Sequence, residues 1–395
     1  MSNMENRDNY LPVNWIDGMK INKGHFIAER NALQQQMVFS AGSHITALSY
    51  GLLPATAEEH KPFKIFVSLD NQQHIQVKLI HCRAITAGGA FININESSLA
   101  SNELSTAVPT LQIPMSDLKS KSQVYYVILT VDVYNKVPVG NADPTEVPPR
   151  LPYAVPQYSL SLLPEEELNG QRPGLYQLTV SRLIIKDNRI EADDNYIPPC
   201  TATASHADLM DIYYGLEEFM SKMELYCIQI NQKIQQKKQS NDMALIVQRL
   251  CDNILQYQNV YFTRFKWTAI HEAPAYMLAE VASMARLIKN TLDIYVNAGK
   301  EEVMNYFVEW CEINQGTLEN VITDLGNHKY NHEDINTAVV KVSNYTKNIS
   351  SLFYKLSRLD YIGKKKDANI FVKEEIINPD TAESGTRKRR SFLAD

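Results

Sequence analysis

Apolar side chains recur at a fixed step between residues 206 and 238. Leu209, Ile212, Leu216, Phe219, Met223, Tyr226, Ile230 and Ile234 are separated by 3, 4, 3, 4, 3, 4 and 4 positions. That near-heptad step keeps one seam on one side of a helix. Asp211, Glu217, Glu218, Lys222, Glu224, Lys233 and Lys237 fill the other faces. A helix of about thirty residues spans roughly 45 Å and cannot hide its own seam, so it must pack against other helices. Ser205 is its expected N-cap. After a turn at Gln239-Ser240-Asn241, capped by Ser240 or Asn241, a second seam runs through Met243, Val247, Leu250, Ile254, Tyr257 and Tyr261, and Trp267 closes it. A third helix takes Pro274 in its first turn, carries Met277, Val281, Met284, Ile288, Thr291 and Tyr295, and ends at Gly299. Two more helices are expected, over 301–325 and 333–361. Sustained 3-4 spacing in successive long helices predicts a longitudinal bundle, closed either within one chain or between chains.

Before residue 200 the period changes to two. Residues 62–69 and 74–82 alternate apolar and polar around the turn signal Asp70-Asn71. Gly88-Gly89 marks another turn, before Phe91–Ile94. The run 124–133, VYYVILTVDV, is almost continuously β-branched or aromatic and predicts a central strand buried on both faces. Strands are also expected at 158–163 and 175–185. Pro138, Pro144, Pro148, Pro149, Pro152 and Pro156 exclude a central strand between 138 and 156 and predict an extended loop or arm. Short strands broken by turn signals predict a β-sandwich.

Composition narrows the class. The chain has 395 residues, 44% hydrophobic and 21% charged, enough for two or three soluble domains. A net charge of -6 implies no broad nucleic-acid-binding field. No apolar run reaches the roughly 18 residues of a membrane span, and the first residues, MSNMENRDNY, lack a secretory h-region. Five scattered cysteines without a CxxC predict reduced thiols in a cytosolic compartment, with Cys227 and Cys251 as small buried helix residues.

Candidate chemistry is sparse. GxSxG, Walker A, HExxH and GxGxxG are absent, so neither catalysis nor a cofactor is expected. Ala87-Gly88-Gly89-Ala90 reads as a turn, because no Lys-Ser/Thr follows as a phosphate cradle requires. His25 has no partner at metal-ligand spacing and reads as a hydrogen-bonded structural residue. His81 and Cys82 are strand neighbours that face opposite sides. His328 and His332 are four apart, but Asn327 and Asn331 place them in a loop. The segment after Gly363, with Arg387-Lys388-Arg389-Arg390, reads as a charged solvated tail or a binding element for an acidic partner or anionic membrane face.

The most distinctive stretch is Pro12–Phe26, containing Trp15, Gly18, Met19, His25 and Phe26, followed by a Gln-rich short helix over 29–37. It resembles the opening signature of the TssK family of type VI secretion baseplate subunits, a Trp–acidic–Gly–Met run followed by His-Phe. Asp193–Pro199 resembles the family's junction before its helices, and Ile270–Tyr276 the start of its third neck helix. Order and spacing fit from residue 13 to about 297. The resemblance implies an α+β multidomain chain: a phage receptor-binding-protein-like β-sandwich shoulder (1–200), a trimerising helical neck (201–299), a helical C-terminal region in place of the family's mixed head (300–362) and a charged tail (363–395). It further implies a non-enzymatic homotrimeric adaptor in a contractile injection machine, at the cytoplasmic face of the bacterial inner membrane. Its partners would be TssF/TssG-like wedge proteins and, through its C-terminal end, the membrane complex, with no nucleic acid. Trp15, Gly18, Met19, His25 and Phe26 become the wedge-binding or shoulder signature. The helix seams become the bundle or trimer seam. A phage-like tail adaptor or receptor-binding protein is the alternative.

Overall fold

The computed structural model describes residues 9–56, 63–95, 108–118, 122–168, 170–186, 189–311 and 314–363. They fall into two compact units. One contains residues up to Leu209 with Ile270–Ala275 and Tyr330–Asn336; the other contains Met210–Ala269, Tyr276–Lys329 and the residues from Thr337.

The first unit opens with helix α1 (Lys23–Ser43). It is 21 residues long, well beyond the expected Gln-rich segment, because Asn22 caps it early and the chain stays helical to Ser43. Strands β1 (Gly51–Leu52), β2 (Phe63–Leu69), β3 (His74–Ile85), β4 (Phe91–Asn95) and β5 (Thr110–Pro114) form one sheet around β3. β2 and β3 make the hairpin that Asp70-Asn71 signals, with Asp70 Oδ1 accepting from the Gln72 and His74 N–H groups. One extra residue, Ile80, interrupts their ladder between the pairs Lys64↔His81 and Ile65↔Leu79. A bulge of this kind moves every later side chain to the other face. The buried set accordingly shifts from Ile75, Val77 and Leu79 to Cys82 and Ala84.

The second sheet has the order β7-β6-β8-β9 and is antiparallel throughout: β6 (Val124–Val139), β7 (Tyr153–Pro164), β8 (Gln177–Lys186) and β9 (Arg189–Ala192). A one-turn helix, α2 (Glu165–Leu168), follows β7. As the apolar run predicts, β6 is central and Tyr125–Leu129 are all buried. The proline-rich connection is partly strand, which corrects the loop reading. Pro138 pairs with Ala154 of β7 but lies past the last β8 pair, Thr130↔Gln177, so β8 does not require its missing N–H. Pro156 is on β7, an edge strand.

The helical unit takes most of α3 (Ala207–Gln236) and α5 (Pro274–Asp293), with α4 (Asp242–Thr268), α6 (Lys300–Cys311), α7 (Gln315–Gly326) and α8 (Ile335–Arg358). Several expected boundaries move. Ser205 does not cap α3; its Oγ accepts from the Ala202 N–H, and His206 Nδ1 accepts from Asp208 N–H instead. Asn241 caps α4 through the Ala244 N–H, as expected. α5 stops at Asp293, and turns carry the chain to Gly299, whose φ is +114°. The single helix expected over 301–325 is two, because Asn314 Oδ1 accepts from the Thr317 N–H and starts a new one. The tail from residue 364, with its basic run, lies outside the described residues.

Candidate interaction surfaces

The signature segment is ordered by side chains of α1 that grip its backbone. Glu29 Oε2 accepts from Val13 N–H at 2.8 Å, and Gln35 Oε1 accepts from Tyr10 N–H at 3.1 Å. Gly18, at φ +80°, makes the turn in which Met19 N–H reaches the Ile16 carbonyl. Asn22 Oδ1 accepts from the Gly24 and His25 N–H groups, and His25 Nδ1 accepts from Asn22 N–H. His25 therefore completes a capping box, a structural role. Trp15 stands 6.0 Å from the His25 ring and 6.2 Å from Phe26, centroid to centroid. The indole is 45% exposed and Phe26 62% exposed. Leu11, Ile16, Ile21, Leu33 and Met37 extend this apolar surface, whereas Ala32, Gln35 and Val38 form the buried side of α1.

That buried side explains the glycine pair. A Cβ on Gly89 would sit 2.4 Å from the Val38 carbonyl oxygen and 2.6 Å from Gly42 N. Gly89 also closes a turn, its N–H donating to the Thr86 carbonyl. The pair is thus a turn pressed against α1.

In the helical unit most of the seam is buried within one chain. Ile212, Leu216, Phe219, Met223, Ile230, Val247, Leu250 and Ile254 are all buried, and so is Leu209 at the start of α3. Met243, Tyr226 and Tyr257 are only partly buried, and Tyr261 lies at the surface. Beside them Cys227, Cys251, Gln258 and Phe265 take the inner positions. The buried seam residues are covered by the chain's own side chains, whereas Tyr226, Met243, Tyr257 and Tyr261 keep exposed surface. Trp267 does not close the second seam; it is 74% exposed. Tyr213, stacked on Phe265 at 5.2 Å with its hydroxyl donating to the Lys266 carbonyl, fills that place. Tyr214, Val260, Tyr261, Trp267 and Tyr276 are left as exposed apolar and aromatic residues. Aromatic side chains are enriched in protein interfaces.

A buried polar cluster in the first unit escaped sequence reasoning. Glu333 Oε1 accepts from the Tyr50 hydroxyl at 2.5 Å and Oε2 from the Thr179 hydroxyl at 2.9 Å. The Arg172 guanidinium lies 6.0 Å from the Tyr50 ring centroid. His332 Nε2 faces the Tyr50 carbonyl at 2.9 Å and Nδ1 the Tyr330 hydroxyl at 3.0 Å. A carbonyl can only accept, so Nε2 carries the proton and Nδ1 accepts from Tyr330. Burial raises the Glu333 pKa, the two hydroxyl donors offsetting only part of the shift, and burial lowers that of His332. Both carboxylate oxygens and both ring nitrogens are engaged inside the fold, so the group presents nothing to a substrate. Its members lie up to 283 positions apart in sequence, and no local spacing signals them. Among the described residues no group of His, Cys, Asp and Glu could hold a metal ion, and no helix is long and apolar enough to cross a membrane.

No protein-family profile and no curated protein matches the chain. Solved structures do. A crystal structure of TssK is 15% identical with a TM-score of 0.44, covering 88% of this chain and 68% of that one. TssK from the type VI secretion system of EAEC, bound to a nanobody, is 14% identical with a TM-score of 0.44, covering 83% of this chain and 100% of that one. A chain of the TssK-TssF-TssG baseplate subcomplex, seen by cryo-electron microscopy, is 13% identical with a TM-score of 0.40, covering 88% of this chain and 98% of that one.

Proposed function

We propose that this chain is a structural baseplate subunit of a type VI secretion system, a homotrimeric adaptor rather than a catalyst. The observation that carries the reading is the Trp15–Phe26 segment. Asn22 caps α1 within it and Glu29 and Gln35 hold the backbone just ahead of it at Val13 and Tyr10, yet its aromatic and aliphatic side chains face solvent. A rigid surface of that kind loses little conformational entropy on docking. In this reading it binds wedge proteins of the TssF/TssG kind. Residues 1–200 are the shoulder, 201–299 the neck and 300–362 a helical region in place of a head. The C-terminal end faces the membrane complex at the cytoplasmic face of the inner membrane. The trimer draws on the exposed group Tyr214, Val260, Tyr261, Trp267 and Tyr276, in which Tyr261 is the exposed end of the second seam. Three linked copies make later contacts effectively intramolecular.

The test is co-purification of Trp15→Ala with the wedge proteins. We expect binding to be lost while light scattering still reports three times 45.0 kDa. Wedge binding by a folded Trp15→Ala trimer would remove the contact, and a monomer at micromolar concentration would remove the trimer.

A further inference from the structure

We infer that Pro149-Arg150-Leu151-Pro152 is a preformed proline ligand for the aromatic-lined groove of a partner protein. Neither the wedge contact nor the trimer proposed above uses these residues, so the inference is independent of both.

The sequence presets the backbone. Proline fixes φ near about -65° and pushes the residue before it out of the helical region. Pro149 and Pro152 are therefore constrained, and so is Leu151, which precedes Pro152. Residues 149–152 run without turn or bend. Among the described residues, no backbone hydrogen bond engages Pro149, Arg150 or Leu151. These are the conditions of the polyproline II helix, whose backbone bonds only to solvent and whose side chains repeat every third residue. Pro149 and Pro152 then share one edge.

The segment is held at both ends. Ahead of it, Asp143 Oδ1 accepts from the Thr145 N–H and hydroxyl, and Glu146 grips the Arg150 guanidinium with both oxygens, at 2.8 and 3.0 Å. Behind it, Tyr153 pairs with Val139 of β6. Gly140, at φ +100°, lets Pro152 close on the opposite strand, since a Cβ there would lie 3.1 Å from the Pro152 Cγ. Between these anchors every residue from Val147 to Ala154 is exposed.

The chemistry of the segment selects its partner. Strand addition needs backbone donors, and Pro148, Pro149 and Pro152 have none. An acidic surface finds Arg150 already engaged by Glu146. What remains are two proline rings on one edge and the unpaired carbonyls between them. Aromatic rings pack against the apolar ring faces, while indole N–H and phenol O–H groups donate to the carbonyls. A groove lined by such residues reads both features at once. A ligand already extended in this way also loses little conformational entropy on docking.

The test titrates the full-length chain into an isotope-labelled SH3 domain, a probe whose groove is of this kind. Resonances of the groove should shift or broaden, and a free PxxP peptide should reverse the change. Pro149→Ala and Pro152→Ala should each weaken binding about tenfold, the effect of withdrawing roughly two buried CH₂ groups. Pro144→Ala, the same change outside the motif, should leave it within about twofold. A photo-crosslinking residue in place of Leu151, in a chain that keeps every proline, should join to the aromatic residues of the groove. An undisturbed groove would overturn the inference. So would binding that survives both proline substitutions, or cross-links that map elsewhere on the probe.

Discussion

Replacing Tyr50 by Phe removes one atom from the centre of the first unit. The ring stays, with its edge contact to His332 at 4.8 Å and the Arg172 guanidinium at 6.0 Å. The Tyr50 carbonyl still accepts from His332, since that bond belongs to the backbone. What is lost is the hydroxyl donating at 2.5 Å to Glu333, whose side chain is buried. A hydrogen bond to a charged group contributes about 1.5–3 kcal/mol, and here the orphaned carboxylate oxygen has no water to replace its donor. A loss near 2 kcal/mol corresponds to roughly thirtyfold faster opening. Hydrogen exchange read by mass spectrometry over residues 330–336 should report it, because Glu333 and His332 anchor that stretch and Asn331 and Asn336 bond the Gly170 carbonyl and the Ile197 N–H. Thr179→Val should act in the same direction through the other oxygen. Protection within twofold of the parent in both variants would refute the keystone role of the cluster.

The cluster should also respond to pH in two opposed directions. The folded pKa of Glu333 is raised, so its contribution is full below the unfolded value of 4.5 and is lost as pH rises through the folded value. The folded pKa of His332 is lowered from 6.5, so stability falls as pH drops below 6.5. Urea midpoints against pH for Glu333→Gln should keep the acid-side decline and lose the alkaline-side one, at most about 1.4 kcal/mol per pH unit. An unchanged profile would contradict the assignment. In the helical unit, Leu250→Ala should cost about 2–5 kcal/mol in thermal unfolding, as expected of a fully buried seam residue. Trp267→Ala should leave monomer stability within about 0.5 kcal/mol and lower the mass read by light scattering. The reverse pattern would return the seam to the interface between chains.

How far the sequence reached depends on the range of the interaction that decides each feature. The 3-4 seams of α3 and α4 were legible because burial selects one helix face every turn, and Leu216 or Val247 belongs to that face whatever covers it. The β2–β3 hairpin, the turn at Gly88-Gly89 and the central place of β6 were legible for the same local reason: alternation, turn chemistry and an unbroken apolar run. Asn314 could have been recognised as a cap, since its side chain acts three residues on.

Other features are properties of the assembled chain. Whether a seam is covered by its own helices or by another copy depends on what α6, α7 and α8 do after residue 300, and periodicity does not encode the identity of a neighbour. The turn glycines are needed for their own conformation, but only packing shows that Gly89 must also admit the Val38 carbonyl. Pro138 can lie in a strand because β8 ends before reaching it, a fact about a partner some forty residues away. Glu333 is the clearest case. In sequence it is one acidic residue at the expected start of a helix; only the fold brings Tyr50 and Thr179 to its two oxygens and excludes water from all three. Local pattern determined which faces are apolar and where elements begin and turn. Tertiary structure decided which buried groups meet, because desolvation and hydrogen bonding act on distance in space, not on distance along the chain.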